Sequence, residues 1–221
     1  MEKVEGVYQG AAFNFREGFQ SGVLRMSWGK DGSLFVGQTN RGWGSTGKDS
    51  YGLQRLVWTG RQPFEIHQIL AEPDGFTLHF TQSVDKGTAQ LAASYSVTSF
   101  SYKYHPVYGS PIAEQKLLAV RAIAVAADGR SARLVVDGLR PGYVHEIKAE
   151  GVRAYAADHA LLHPVGYYTL NRIPKGDTLV YTAAQLLASH PAEVKAEPAL
   201  GHNHTEMTAR AVSEAATKSQ R

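Results

Sequence analysis

Histidine has the widest chemical reach in this chain: nine are present, and cysteine is absent. Two histidines sit in loops of similar make-up. His105 lies in Tyr104-His105-Pro106-Val107-Tyr108-Gly109-Ser110, and His163 in Leu162-His163-Pro164. A residue before proline is pushed towards extended or turn backbone, so both read as loop residues. If the two loops meet at one end of a domain, Tyr104, His105, Tyr108 and His163 line a polar pocket. A metal ion needs three or four converging ligands, and two histidines do not supply them. The ordinary role of such side chains is to brace loops by hydrogen bonds to backbone carbonyls. His202-Asn203-His204 with Glu206 is a weak metal-binding pattern in a stretch with little to bury. His145-Glu146 starts like a zinc-protease helix, but His-Glu-x-x-His needs histidine where Ala149 stands. No metal site and no catalytic residue is expected.

Asn40, Arg41 and Trp43 form a second set, in the glycine-punctuated loop Thr39 to Ser45. Arginine presents a rigid fork of donors to an anion or a polyol, and tryptophan a stacking face. The ligand-binding candidates are therefore Asn40, Arg41, Trp43, Tyr104, His105, Tyr108 and His163. Ser45 and Ser110 each follow glycine, but no Gly-x-Ser-x-Gly elbow exists, and neither a dinucleotide fingerprint nor a P-loop occurs. Pairs such as Asp137 with Glu146 or Glu150 read as surface carboxylates. Without cysteine there is no disulfide, thiolate nucleophile, cysteine-ligated zinc or C-x-x-C-H haem attachment.

Strands must position these residues. Val23 to Trp28 and Ser33 to Gln38 flank Gly29-Lys30-Asp31-Gly32, a tight-turn signal, and predict a hairpin. Gln54 to Thr59 predicts a third strand beside it, and three strands alone leave apolar faces bare. Ile66–Ala71 and Phe76–Thr81 flank Pro73-Asp74-Gly75. Phe76, Leu78 and Phe80 alternate with Thr77 and His79, the period of a half-buried strand. A short helical turn is expected within Asp85 to Ala93. Strands are expected over Ser94 to Tyr104, Lys116 to Ala126, Ala132 to Val136, Tyr143 to Glu150 and Gly166 to Leu170. Short strands at this spacing argue for a β-sandwich. Thr182 to Ser189 predicts a short helix, and the Ala, Glu, Lys, Thr and Ser after Pro191 predict disorder.

With 43% hydrophobic residues the 221-residue chain can build a sizeable core, and 22 glycines with 9 prolines favour strands and turns. The net charge of +3 is scattered, which argues against a nucleic-acid surface. The N-terminus MEKVEGVYQGAAFNF lacks the pattern of a signal peptide, and no run approaches a membrane span of about 20 apolar residues.

The strings GAAFNFREGF, SGVLRMSWGKDGSLFVGQTNRGWGS and GLQRLVWTG resemble the end of a β-propeller of glucose/sorbosone dehydrogenase type. That propeller occurs in large secreted bacterial proteins, many with c-type haem domains. PDGFTLHFTQSVD, SYSVTSFSYKYHPVYGS, VVDGLRPGYVHEI and LLHPVGYYTLN resemble the sandwich that follows it. The likeness covers roughly Tyr8 to Pro174. It implies an all-β chain with a partial propeller blade over 1–60 and an immunoglobulin-like β-sandwich over 61–176, and the short helix and disordered tail read from the residues follow over 177–221. It implies a periplasmic or secreted setting. Quinone and haem would belong to family domains outside this chain, so no cofactor is expected here.

The reading that follows is a non-catalytic structural or interaction module, with Tyr51, Trp58, Phe64 and Trp43 at its junction. Its partner would be a propeller domain or a second chain, held through residues 1–60. The alternative is a carbohydrate-binding module using Tyr95, Tyr102, Tyr104, Tyr108, Tyr167 and Tyr168, or an accessory part of a quinone- or haem-dependent sugar oxidoreductase.

Overall fold

The computed structural model describes residues 1–40 and 47–181. Its strands are all antiparallel and form three sheets, none closed into a barrel. Among the described residues helix is confined to α1 (Lys86–Ala89) and a 3-10 turn at Ala92–Ser94, within the stretch where the sequence predicts a helical turn. Asp85 caps α1 by accepting the Thr88 N–H at 2.8 Å.

The strands are β1 (Glu2–Val4), β2 (Val7–Phe13), β3 (Val23–Trp28), β4 (Leu34–Thr39), β5 (Tyr51–Leu56), β6 (Ile66–Glu72) and β7 (Gly75–Phe80), followed by β8 (Ser96–Tyr102), β9 (Ile112–Leu118), β10 (Val120–Val125), β11 (Ser131–Val136), β12 (Tyr143–Lys148) and β13 (Val165–Leu170). A six-stranded sheet runs β1-β2-β13-β12-β8-β9, a four-stranded sheet β10-β11-β7-β6, and a three-stranded sheet β3-β4-β5.

The two larger sheets face each other across one apolar core. Phe76, Leu78 and Phe80 point inward, as their alternation predicts. Ala132 and Leu134 lie beside them, opposite Val97, Ile147, Tyr168 and Leu170 of the other sheet. The β6–β7 turn depends on Gly75, where a Cβ would lie 1.9 Å from the Leu134 carbonyl oxygen.

Three features depart from the sequence expectations. Lys116 to Ala126 is not one strand. It breaks at Ala119, whose carbonyl accepts the Asp137 N–H at 2.9 Å. The break lets β9 pair with β8 in one sheet and β10 with β11 in the other, which continuous alternation cannot reveal. The third strand of the small sheet covers Tyr51–Leu56 rather than Gln54 to Thr59. Residues 2–13, grouped with the propeller-like segment in the sequence reading, pair instead with the sandwich-like body, β2 lying antiparallel to β13. Glu2 anchors this pairing: its Oε1 accepts the Ala71 N–H at 2.7 Å and the Tyr168 hydroxyl, tying β1 to both larger sheets.

The small sheet is built as its hairpin signal predicts. Gly32 takes φ +78° in the turn, and Asp31 accepts the Ser33 hydroxyl and N–H. These bonds, then the Arg55 contact, lower the Asp31 carboxyl to about 2. Val36 is buried and Leu34 half-buried, because residues 20–21 cover that side: Ser21 N donates to Gln38 Oε1 at 2.8 Å and Gln20 N to Gln54 Oε1 at 2.9 Å. Three strands alone are expected to leave apolar faces bare; that is corrected for Leu34 and Val36, whereas Leu24, Met26 and Trp28 are exposed.

The segment after β13 is strapped to the four-stranded sheet. Arg133 pairs with Glu72 at 3.3 Å and Asp74 at 2.7 Å, and Asp74 also accepts the Leu179 N–H. The helix expected over Thr182 to Ser189, the disorder expected after Pro191, and the His202, His204 and Glu206 pattern lie outside the described residues.

Candidate functional site

Glu65 immediately precedes β6, and His163 stands two residues before β13. The two meet across the end of the sandwich-like body. The His163 N–H donates to Glu65 Oε2 at 3.0 Å, and His163 Nδ1 lies 2.8 Å from Glu65 Oε1. The loop is held on both sides, since Leu162 N donates to the Phe64 carbonyl at 3.0 Å and Ala149 N to the Pro164 carbonyl at 2.9 Å. Thr81 Oγ1 accepts the Glu65 N–H at 2.9 Å, which fixes the carboxylate's own backbone. His163 thus braces a loop, as expected, but through a carboxylate rather than a carbonyl. An open hollow of about 420 Å³ adjoins this clasp, lined by Phe13, Asn14, Phe15, Pro63, Ile66, Leu162 and the pair itself.

Tyr104, His105 and Tyr108 are elsewhere. Lys148 is opposite both Val165 and Ser96, so β13 and β8 start at the same end of their sheet. His163 precedes that end, whereas the 103–111 loop follows Tyr102 at the other. The separation is the length of β8, roughly 20 Å at about 3.3 Å per residue. The two loops do not meet, so the pocket that would have combined His105 with His163 does not form. Tyr104 and Tyr108 project into solvent, and His105 is half-buried. Asn40 is half-buried and donates its N–H to the Ser50 carbonyl at 2.9 Å, while Arg41 and Trp43 lie outside the described residues.

The remaining tyrosines divide by environment. Tyr95 is buried and donates to the Ala89 carbonyl, and desolvation raises its pKa. Burial, then the Glu2 contact, does the same to Tyr168. Tyr102 and Tyr167 lie on the outer face of the six-stranded sheet. The Tyr102 ring meets Phe100 edge-on at 5.5 Å, and the Tyr167 hydroxyl bonds Glu146.

A polar network that motif reasoning missed lies inside the opposite end. Arg140 stacks 3.6 Å over the Tyr143 ring and donates to Ser99 Oγ at 3.1 Å and to the Glu114 carbonyl at 2.7 Å. Its N–H donates to Nε2 of the fully buried His145 at 3.3 Å. Nδ1 must then carry the ring proton, and no acceptor meets it with good geometry. Desolvation first, and the Arg140 charge with it, lower the His145 pKa to about 4 against a smaller opposing effect of the Tyr143 backbone. The available signal was period two, which puts His145 on the same face as Ile147.

A second hollow of about 460 Å³ borders Ser83, Lys86, Asp128 and Tyr155. Its polar groups serve the fold: Lys86 Nζ donates to the Ala127 carbonyl at 2.7 Å and Ser83 Oγ to the Asp128 carbonyl at 2.9 Å. Among the described residues no group of three or more His, Asp or Glu is placed to hold a metal ion, and no helix is long and apolar enough to cross a membrane.

The small sheet bares apolar side chains on both of its faces, Met26 and Trp28 on one and Tyr51 and Leu53 on the other. Trp28 is 73% exposed, Leu53 71% and Trp58 65%, with Leu24, Met26, Tyr51 and Val57 also exposed. Among the described residues β3 and β5 each pair only with β4.

No protein-family model matches the chain, and no curated protein matches it. Parts of it superpose on solved structures of the bacterial surface-layer protein SbsC. A crystal structure of recombinant SbsC aligns at TM-score 0.38 and 18% identity over 50% of this chain and 14% of that one. A structure of SbsC domains 1–6 aligns at TM-score 0.38 and 16% identity over 52% and 14%. The N-terminal part of SbsC aligns at TM-score 0.37 and 15% identity over 52% and 25%. The chain thus matches a quarter or less of these proteins' length, and likeness at this level carries no argument about function.

Proposed function

We propose that the chain is a non-catalytic assembly module: an immunoglobulin-like sandwich that presents the β3-β4-β5 sheet as a docking element for a propeller-type β-domain. The observation that carries this reading is the exposed apolar surface of that sheet. Contiguous apolar surface on a protein usually marks an interface, and three strands do not suffice to cover themselves.

Two further points support the details. Numbered from β6 onward, the larger sheets have the orders D-E-B-A and C′-C-F-G, which is the strand arrangement of immunoglobulin-like sandwiches. The small sheet is a consecutive antiparallel meander whose two edges are unpaired among the described residues, one strand short of a four-stranded propeller blade. The choice of a sugar-dehydrogenase-type propeller, and of an extracytoplasmic setting, rests on the resemblance of GQTNRGWGS and its neighbouring strings.

The test is light scattering and pull-down of the full chain with a propeller of that type, against a Leu24→Ser/Met26→Ser/Trp28→Ser variant. Docking by the parent and its loss in the folded variant are expected. Equal docking by both, or none by the parent, overturns the reading.

A second reading, carbohydrate binding, is favoured by the exposure of Tyr102 and Tyr104, since aromatic faces stack on sugars. Glycan binding lost in Tyr102→Ala/Tyr104→Ala would establish it, and unchanged binding would remove it.

A further inference from the structure

The small sheet has a further surface besides its faces: the outer edge of β3. All six residues of β3 are exposed, and among the described residues the strand pairs only with β4. At the head of the hairpin the Gly29 N–H donates to the Ser33 carbonyl at 2.8 Å. Bonded and non-bonded pairs alternate along an antiparallel ladder, so Ser27 and Arg25 direct their backbone groups to β4. Met26 and Trp28 turn theirs to the outer edge.

The other sheet edges are guarded against pairing by shortness, charge or irregularity. β1 has three residues. β9 carries Lys116 and Glu114, the latter at φ +53°, and shifts register against β8. β10 shifts at Arg121, which pairs with Asp137. On β6 the Ala71 N–H is taken by Glu2, and on β5 Arg55 pairs with Asp31. β3 has no proline, carboxylate or lysine, and its shift against β4 is confined to Val23/Arg25 at its start. A row of outward amides and carbonyls is matched by another strand, and the residues of β3 select which one. About a two-fold axis at Met26, Trp28 falls beside the second copy's Leu24, Met26 beside its Met26, and Arg25 beside its Ser27. Apolar side chains then meet apolar ones and the two arginines stay apart. An axis at Arg25 would set the arginines against each other.

We infer that β3 pairs antiparallel with β3 of a second copy of this chain, Met26 lying on the two-fold axis, so that two small sheets join into one sheet of six strands. Edge pairing leaves both faces of the small sheet open and needs no other protein. It is therefore independent of the docking proposed above, and its failure would leave that reading standing.

The test uses the full chain alone. Sedimentation velocity should show monomer passing to dimer as concentration rises. The chain has no cysteine, so Met26→Cys introduces a single thiol. Bonded partners in an antiparallel pair have Cα atoms about 5.5 Å apart, within reach of a disulfide. Mild oxidation should therefore link Met26→Cys into a covalent dimer, while Leu53→Cys, at an equally bare position on β5, stays monomeric. Met26→Lys and Met26→Glu each oppose like charges on the axis and should weaken self-association about fivefold or more. Mixing these two variants should restore a one-to-one dimer, which a fold damaged by either substitution could not do. A parent that is monomeric at every concentration, equal crosslinking of Met26→Cys and Leu53→Cys, or undiminished self-association of folded Met26→Lys each overturns the inference.

Discussion

Replacing His145 with glutamine should flatten the acid side of the stability profile. The imidazole is fully buried against Phe76, with ring centroids 5.4 Å apart, and accepts the Arg140 N–H at Nε2. Burial holds its folded pKa at about 4, against an ordinary value of 6.5. The unfolded chain therefore takes up a proton near pH 6.5, and the native protein does so only near pH 4. Stability contributed by the neutral ring is complete above about pH 6.5 and is lost as pH falls towards 4. The span corresponds to at most about 3 kcal/mol at about 1.36 kcal/mol per unit, of which about 2 kcal/mol is gone by pH 5. That is a large share of a typical total of about 5–15 kcal/mol. Urea denaturation of the parent and of His145→Gln at pH 8 and pH 5 measures it. Glutamine keeps an acceptor for Arg140 and does not titrate, so its change between the two pH values should be smaller than the parent's by about 2 kcal/mol. Equal changes in the two proteins would refute the argument and place the acid sensitivity elsewhere.

Other perturbations test the packing. Phe80→Ala should lose about 3–5 kcal/mol in urea denaturation, since the ring is buried in the common core beside Phe64, and a negligible change would mean that this face is solvated. Glu2→Ala strips the acceptor from the Ala71 N–H and the Tyr168 hydroxyl and should cost about 2 kcal/mol or more, with faster amide exchange in β2. In Gly166→Ala the new methyl would meet Ile69 Cδ1 at 2.6 Å and Phe13 Cε1 at 2.7 Å; a loss of about 1–3 kcal/mol is expected, partly relieved by Ile69→Val in a double-mutant cycle.

What the sequence by itself determined is local. Alternation along Phe76, Leu78 and Phe80 placed an inward face, because successive side chains of a strand point to opposite sides whatever pairs with it. Gly29 to Gly32 determined a hairpin, because its turn needs a positive φ at glycine. Pro164 placed His163 in a loop. Tertiary structure alone decided what depends on partners distant in the chain. Gly10, Ala11 and Ala12 have little strand character of their own, yet β2 forms because the edge of β13, more than 150 residues away, supplies its hydrogen bonds. Lys116 to Ala126 divides between two sheets because β8 and β11 compete for it from opposite sides of the core. The same holds for the site. His105 and His163 carry similar local sequences but lie at opposite ends of one sheet, because strand direction and register are set by pairing. Glu65 reaches His163 across 98 residues for the same reason. A motif records the chemistry of a side chain, and the burial of two sheet faces against each other decides which side chains meet.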